Sequence, residues 1–149
     1  MARGHEHHGS TETGHHHGHG HDHSHDHDHE LDHDRLQECI EECLQCHAVC
    51  TMTVQHCLVK GGEHAEVDIV GVLLDCAEIC QTSANFMLRG SPYHALTCTT
   101  CATICQVCAE ACASVDDDEQ LAHCGEVCTS CAESCAQMAA MLEEGEEEE

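Results

Sequence analysis

The chain has almost none of the residues that ordinarily fill a protein core. Its 149 residues include no Trp, one Phe and one Tyr, which excludes an aromatic-filled interior. Positive charge is equally scarce. Arg3, Arg35, Lys60 and Arg89 stand against 29 acidic residues, for a formal charge of -25. That balance argues against binding to nucleic acid or to an anionic membrane and favours attraction of cations. Most of the acidic residues are expected only to solvate outer helix faces and the tail. Residues 1–33 contain no apolar signal core, no twin arginine and no small-residue cleavage site, and no run of eighteen apolar residues occurs anywhere. Neither export nor a membrane span is expected from this. The expected setting is a reducing cytoplasm, where a cysteine-rich pattern points to metal rather than to disulfides.

Sixteen cysteines are present, and their spacing carries the information. The stretch CTTCATICQVCAEAC, from Cys98 to Cys112, spaces five of them three and four residues apart, the interval of the inward-facing stripe of a packed helix. From Leu31 onward the pattern is helical, with breaks at LVKGGEH (58–64), at RGSPYH (89–94), which holds the single Pro, and at the Asp-rich SVDDDE (114–119). Four helices are predicted, over about 32–59, 65–89, 92–114 and 117–143. Short connections make them antiparallel neighbours, so the predicted fold is all-α, an up-down-up-down four-helix bundle with a Cys-lined core.

Stepping alternately four and three residues along each helix gives one seam per helix. The first carries Leu36, Cys39, Cys43, Cys46, Cys50, Thr53 and Cys57; the second Ile69, Leu73, Cys76, Cys80, Ser83 and Met87. The third carries His94, Cys98, Cys101, Cys105, Cys108, Cys112 and Val115; the fourth Leu121, Cys124, Cys128, Cys131, Cys135, Met138 and Leu142. All sixteen cysteines fall on the interior stripe. Antiparallel alternation then places Ile69, Leu73, Val115 and Leu121 around Cys57 and Cys112 as an aliphatic plug. Cys39, Met87, His94 and Met138 meet at the other end. Since Met and His are soft or borderline ligands, Met87, His94 and Met138 are the candidate entrance ligands for a metal. Alternatively, the two Met fill gaps in the packing and His94 is a solvated residue at a helix start.

Two further segments flank the bundle. Residues 1–31 are expected to form a disordered His-rich arm, with His alternating among Asp and Gly, that binds divalent metal weakly at many sites. Residues 144–149, EGEEEE, read as an acidic tail. His47, His56 and His123 each adjoin a seam cysteine, point about 100° away from it and are expected at the surface or between subunits. His64 lies in a turn. Ile40, Leu44, Val49, Val70 and Leu74 are read as outer apolar residues suited to an oligomer interface.

Four uses of such a core compete: structural disulfides, iron-sulfur electron transfer, zinc binding and Cu(I) storage. Charge separates the metals. Sixteen thiolates and sixteen Cu(I) ions sum to zero, whereas four Zn(II) sites or four oxidised cubane clusters leave eight negative charges unbalanced, and each uncompensated buried ion costs several kcal/mol. Geometry points the same way. Helix residues four apart have Cβ atoms about 5–6 Å apart, and a metal–sulfur bond near 2.3 Å, by analogy with zinc, lets a two-coordinate ion bridge sulfurs about 4.6 Å apart. Cys39/Cys43, Cys46/Cys50, Cys76/Cys80, Cys101/Cys105, Cys108/Cys112, Cys124/Cys128 and Cys131/Cys135 are seven such pairs. The bacterial ferredoxin run of cysteines ending in Pro is absent. A zinc or broad-specificity metallothionein-like buffer is the nearest rival, with iron-sulfur electron transfer behind it.

The motifs CIEECLQCHAVC, CAEIC, CTTCATICQVCAEAC and HCGEVCTSCAESC resemble those of the four-helix-bundle copper storage proteins, in particular the cytosolic members that lack an export signal. The resemblance spans about residues 32–143. It implies an interior filled with Cu(I) thiolates, about one ion per Cys, a Met/His-lined open end and assembly into homo-oligomers, usually tetramers. No catalytic step is implied, and copper chaperones or low-molecular-weight thiols are the partners that would exchange copper. The long His arm and the two cysteines of the second helix depart from the family pattern.

Overall fold

The computed structural model describes the backbone of residues 24–147 and the side chains of residues 32–141. The expected His-rich arm therefore lies outside the described residues up to residue 23, as do Glu148 and Glu149 and the side chain of Leu142. The fold is the predicted one: four helices, α1 (Ser24–Lys60), α2 (Val67–Leu88), α3 (His94–Ala113) and α4 (Glu119–Glu147), with a short 3-10 turn, Gly62–Ala65, between the first two. Each helix packs against its neighbours in sequence, and α1 closes the ring against α4. The result is a square of antiparallel helices around one central axis.

The helix boundaries follow local chemistry. α1 starts at Ser24, ahead of the expected residue 32, and residues 24–31 contain neither Gly nor Pro to halt it. At its other end Gly61 and Gly62 take φ of 71° and 58°, left-handed values that glycine adopts without steric cost. α2 ends in a Schellman motif: Gly90, at φ 64°, donates to the Met87 carbonyl at 3.1 Å, and Ser91 donates to Phe86 at 2.9 Å. α4 is capped by Asp118, whose Oδ1 accepts the Leu121 amide at 2.9 Å, and its helix runs to Glu147, through most of the expected acidic tail.

The core is the seam. All sixteen cysteines are buried, and Leu73, Leu121, Thr53 and Ser83 are fully enclosed with them. Ile69, Leu73, Val115 and Leu121, the residues of the expected aliphatic plug, are all buried in the same core as Cys57 and Cys112. Ile40 corrects the sequence reading. It is 4% exposed and belongs to the core, because in a square bundle the position beside the seam faces a neighbouring helix. Val49 and Val70 are half-buried against the core, whereas Leu44 and Leu74 are exposed. By length and composition α3 is apolar enough to cross a membrane. Five cysteines and Ala102 form its buried face, while Leu96 and Val107 are exposed beside Thr99, Thr100, Thr103, Gln106 and Glu110.

Candidate metal centre

A helix seam places one side chain toward the bundle axis about every 3.5 residues, and here those side chains are thiols. All sixteen are free. Their sulfurs touch in an unbroken series that runs most of the length of the bundle. From Cys39 it passes to Cys135 (3.7 Å), Cys43 (3.4 Å), Cys131 (3.7 Å), Cys80 (3.9 Å) and Cys105 (3.5 Å). It continues through Cys76 (3.7 Å), Cys46 (3.8 Å), Cys50 (3.9 Å) and Cys124 (3.7 Å). Cys101 and Cys128 branch from it, at 3.6 Å from Cys80 and 3.6 Å from Cys50.

Most of these contacts cross between helices. Among the described residues, two of the seven pairs set four apart, Cys46/Cys50 at 3.9 Å and Cys101/Cys105 at 3.8 Å, have their own sulfurs in contact. The remaining sulfurs point to the axis rather than along their own helix, and so meet those of other helices. The outcome is four clusters whose sulfurs all lie within 4.8 Å of one another. Cys46, Cys80, Cys105 and Cys131 form a complete layer with one thiol from each helix. Cys43, Cys101, Cys131 and Cys135 lie beside it on one side, and Cys46, Cys50, Cys76 and Cys128 on the other. Cys39, Cys98 and Cys135 make a three-sulfur group at the end. Cys57, Cys108, Cys112 and Cys124 belong to none of these four clusters.

Electrostatics set the protons on this lattice. A buried thiolate has little but neighbouring S–H groups to stabilise it, so low and high thiols alternate. Contact with Cys105, ahead of contacts with other thiols, holds Cys46 and Cys76 far below the ordinary thiol range. Contact with Cys108 pushes Cys50 far up, and contact with Cys101 does the same to Cys80. At the end, contact with Cys135 lowers Cys98 but Cys39 and burial raise it further, so that it is pushed up to about 11. Cys57 is raised by burial first, then by the negative charge of Asp118.

The three candidate entrance residues occupy the same end. Met87 is buried, with Cys98 Sγ donating toward its sulfur at 3.8 Å, and Ser83 Oγ lies 3.6 Å from the same thiol. Met138 lines a groove of about 240 Å³ between α1 and α4, together with Arg35, Glu38, Glu42 and Met141. His94 is half-buried, and its Nδ1 donates to the Ser91 carbonyl at 2.6 Å, which directs Nε2 to any other ligand. Among the described residues, no hydrogen bond joins these three to one another.

Three histidines expected at surfaces or in turns have partners within the chain. His47 Nδ1 donates to the Ala77 carbonyl of α2 at 2.7 Å. His56 Nε2 and His64 Nε2 both donate to Oδ2 of Asp118, at 2.7 and 2.8 Å. The Asp-rich start of α4 was the visible signal, though which Asp caps it is fixed only by the fold. Burial pushes the Asp118 carboxyl up, but hydrogen bonds from His56, Leu121 and His64 and the charge of His56 more than reverse this and hold it well below the usual carboxylate range. His123 is exposed, as expected.

Fold and site together define a four-helix-bundle metal-binding protein whose ligands are buried thiols. The sequence profile of the copper storage protein family matches residues 32–140, and the chain belongs to that family. The Nmul_A1745 protein from Nitrosospira multiformis is 43% identical, with a TM-score of 0.69, over 72% of this chain and 97% of that one. The Cu(I)-bound copper storage protein BsCsp3, from Bacillus subtilis, is 30% identical, with a TM-score of 0.67, over 70% and 98% of the two chains. A cytosolic copper storage protein from Streptomyces lividans carrying five coppers is 30% identical, with a TM-score of 0.68, over 74% and 96%. A search of curated protein sequences gave no significant match.

Proposed function

We propose that this protein stores Cu(I) along its axis, without catalysis, as a sink that keeps the reactive ion away from solvent. The observation that carries the reading is the continuous series of sulfur contacts, 3.4 to 3.9 Å, linking twelve buried thiols across four helices. Soft monovalent Cu(I) suits soft thiolate ligands, and one ion per thiolate leaves the interior neutral. The ligands are the sixteen cysteines, with a capacity of about one Cu(I) per Cys. Sulfurs already in contact let an ion pass to the next site by exchanging one thiolate for another. Ions that bind at the raised thiols, such as Cys50, Cys80 and Cys98, displace their protons.

Met87, His94 and Met138 serve in this reading as entrance ligands at the open end. The thioether of Met87 lies against Cys98, the outermost thiol of α3, and the groove beside Met138 carries the carboxylates of Glu38 and Glu42, which attract cations. Copper chaperones or low-molecular-weight thiols deliver and retrieve the ion. The setting is the cytosol, in keeping with the Streptomyces lividans relative. The assembly is a homo-oligomer, a tetramer by family resemblance, for which exposed Leu44, Leu74, Leu96 and Val107 offer apolar surface. Nucleic acid and membrane are not partners. The arm at residues 1–31 supplies additional weak divalent sites.

Zinc is the second reading, because four-sulfur clusters drawn from different helices also fit a tetrahedral ion. Anaerobic purification with copper and zinc offered together, followed by metal analysis and a Cu(I) titration against a competing chelator, decides between them. Storage predicts copper alone, saturating near sixteen ions. Retention of zinc in preference to Cu(I), or saturation at four ions, overturns it.

A further inference from the structure

At the plug end, outside the thiol core, the fold brings two imidazoles and one carboxylate to a single point. His56 comes from the last turns of α1, His64 from the 3-10 turn and Asp118 from the cap of α4. Both Nε2 atoms lie within 2.8 Å of the same oxygen, Oδ2 of Asp118. The carboxylate is almost fully enclosed, with a side-chain exposure of 3%, and its other oxygen is held by the Leu121 amide. The His56 and His64 side chains are 30% and 20% exposed, so solvent reaches them and not Asp118. Two nitrogens and a carboxylate oxygen form a set unlike the all-sulfur interior. It matches borderline divalent cations such as Zn(II) and discriminates against the soft Cu(I) held by the seam.

We propose that His56, His64 and Asp118 form a separate site for a borderline divalent cation, with water as a fourth ligand, that fastens the closed end of the bundle. Binding replaces two N–H···O hydrogen bonds by two nitrogen–metal bonds. An imidazole in its neutral form shifts its proton from Nε2 to Nδ1, so binding to that form releases no proton. The ring centroids are 6.3 Å apart, and a tetrahedral ion at about 2.0–2.1 Å from each nitrogen draws them closer. The means to do so is built in, because His64 rides on a four-residue turn next to Gly61 and Gly62, both in the left-handed region. Asp118 stays fixed by its capping bond, while His64 swings toward His56 to open room for the ion beside Oδ2. The ion would then tie together the three chain segments that cover Cys57.

Co(II) is the probe, since its spectrum reports both geometry and ligand type. The full chain is first saturated with Cu(I) and freed of excess, so that the thiols are occupied, and the copper content is measured separately. Co(II) is then titrated into the wild type and into His64→Gln and Asp118→Asn, the latter keeping a side chain able to cap α4. The expected result is one Co(II) per wild-type chain beyond what the variants bind, with the intense visible bands of a tetrahedral site and no sulfur-to-cobalt charge transfer. Both variants lose those bands while retaining the helical circular dichroism and copper content of the wild type. The His arm, identical in all three proteins, cancels in the comparison. The same spectrum in wild type and variants, or sulfur charge transfer in the band that disappears, overturns the site.

Discussion

The two ends of the bundle are built from different chemistry on the same helices. Toward one end the seam carries Cys39, Cys98 and Cys135 with Met87 and Met138, and every one of these sulfurs is soft and buried. Toward the closed end the same stripe turns aliphatic, with Ile69, Leu73, Val115 and Leu121, and is fastened on the outside by the His56–Asp118–His64 hydrogen bonds. A cysteine-lined segment holds its shape only if something else supplies the packing, because a thiol buries far less apolar surface than a leucine. The difference teaches that stability and capacity are divided along the axis, the closed end supplying the first and the remainder the second.

Breaking the capacity side should give the largest effect. Replacing the complete layer, Cys46, Cys80, Cys105 and Cys131, by Ser removes at least four Cu(I) ions in a chelator-competition titration and severs the sulfur series, while the helical signal persists. Acidification comes next. Thiols such as Cys98, pushed up to about 11, are protonated throughout the neutral range, so protons compete with copper and affinity rises with pH. For each proton displaced, Cu(I) affinity falls about tenfold per pH unit lowered, which chelator titrations at two pH values measure directly. Proton release on loading, followed in weak buffer, provides an independent check.

The closed end is tested by stability instead. Leu73→Ala, at a site with no exposure, should lower the unfolding free energy by about 2–5 kcal/mol in denaturant titration, with the thiol count unchanged. Asp118→Ala removes a helix cap and two imidazole partners and should cost about 1–3 kcal/mol. The sign of its pH dependence follows from its carboxyl, held well below the ordinary range. The contribution is fully present above the unfolded value of about 3.9 and is lost as pH falls through the lower folded value. Acid unfolding curves of wild type and Asp118→Ala should therefore converge at low pH. The smallest effect belongs to Met87→Leu and Met138→Leu, near-isosteric changes costing less than about 1.5 kcal/mol. They should slow copper uptake in stopped-flow mixing without altering capacity; unchanged uptake removes their entrance role.

The fold was legible because its signal is redundant: sixteen cysteines all obey one helical period, and three Gly- or Asp-containing breaks separate four segments. What escaped was whatever depends on the angle between helices. Seven pairs within helices were visible from spacing, but most sulfur contacts run between helices, since the side chains aim at the axis. Ile40 looked external because it follows Cys39, yet in a square bundle the flanking position is also covered. His47, His56 and His64 looked unattached for a related reason. Their partners, Ala77 and Asp118, lie far away in sequence, and no local pattern announces a carbonyl or a carboxylate that arrives from another helix.

The one-thiol-per-helix layer has a consequence for how such a protein can be scaled. Helical rise fixes the distance from one seam position to the next at about 5 Å, so the number of thiols is a measure of axial length, like graduations on a rod. Lengthening every helix by one heptad adds two layers over about 10 Å and leaves both ends as they are. A larger reservoir requires no new fold, only a longer one.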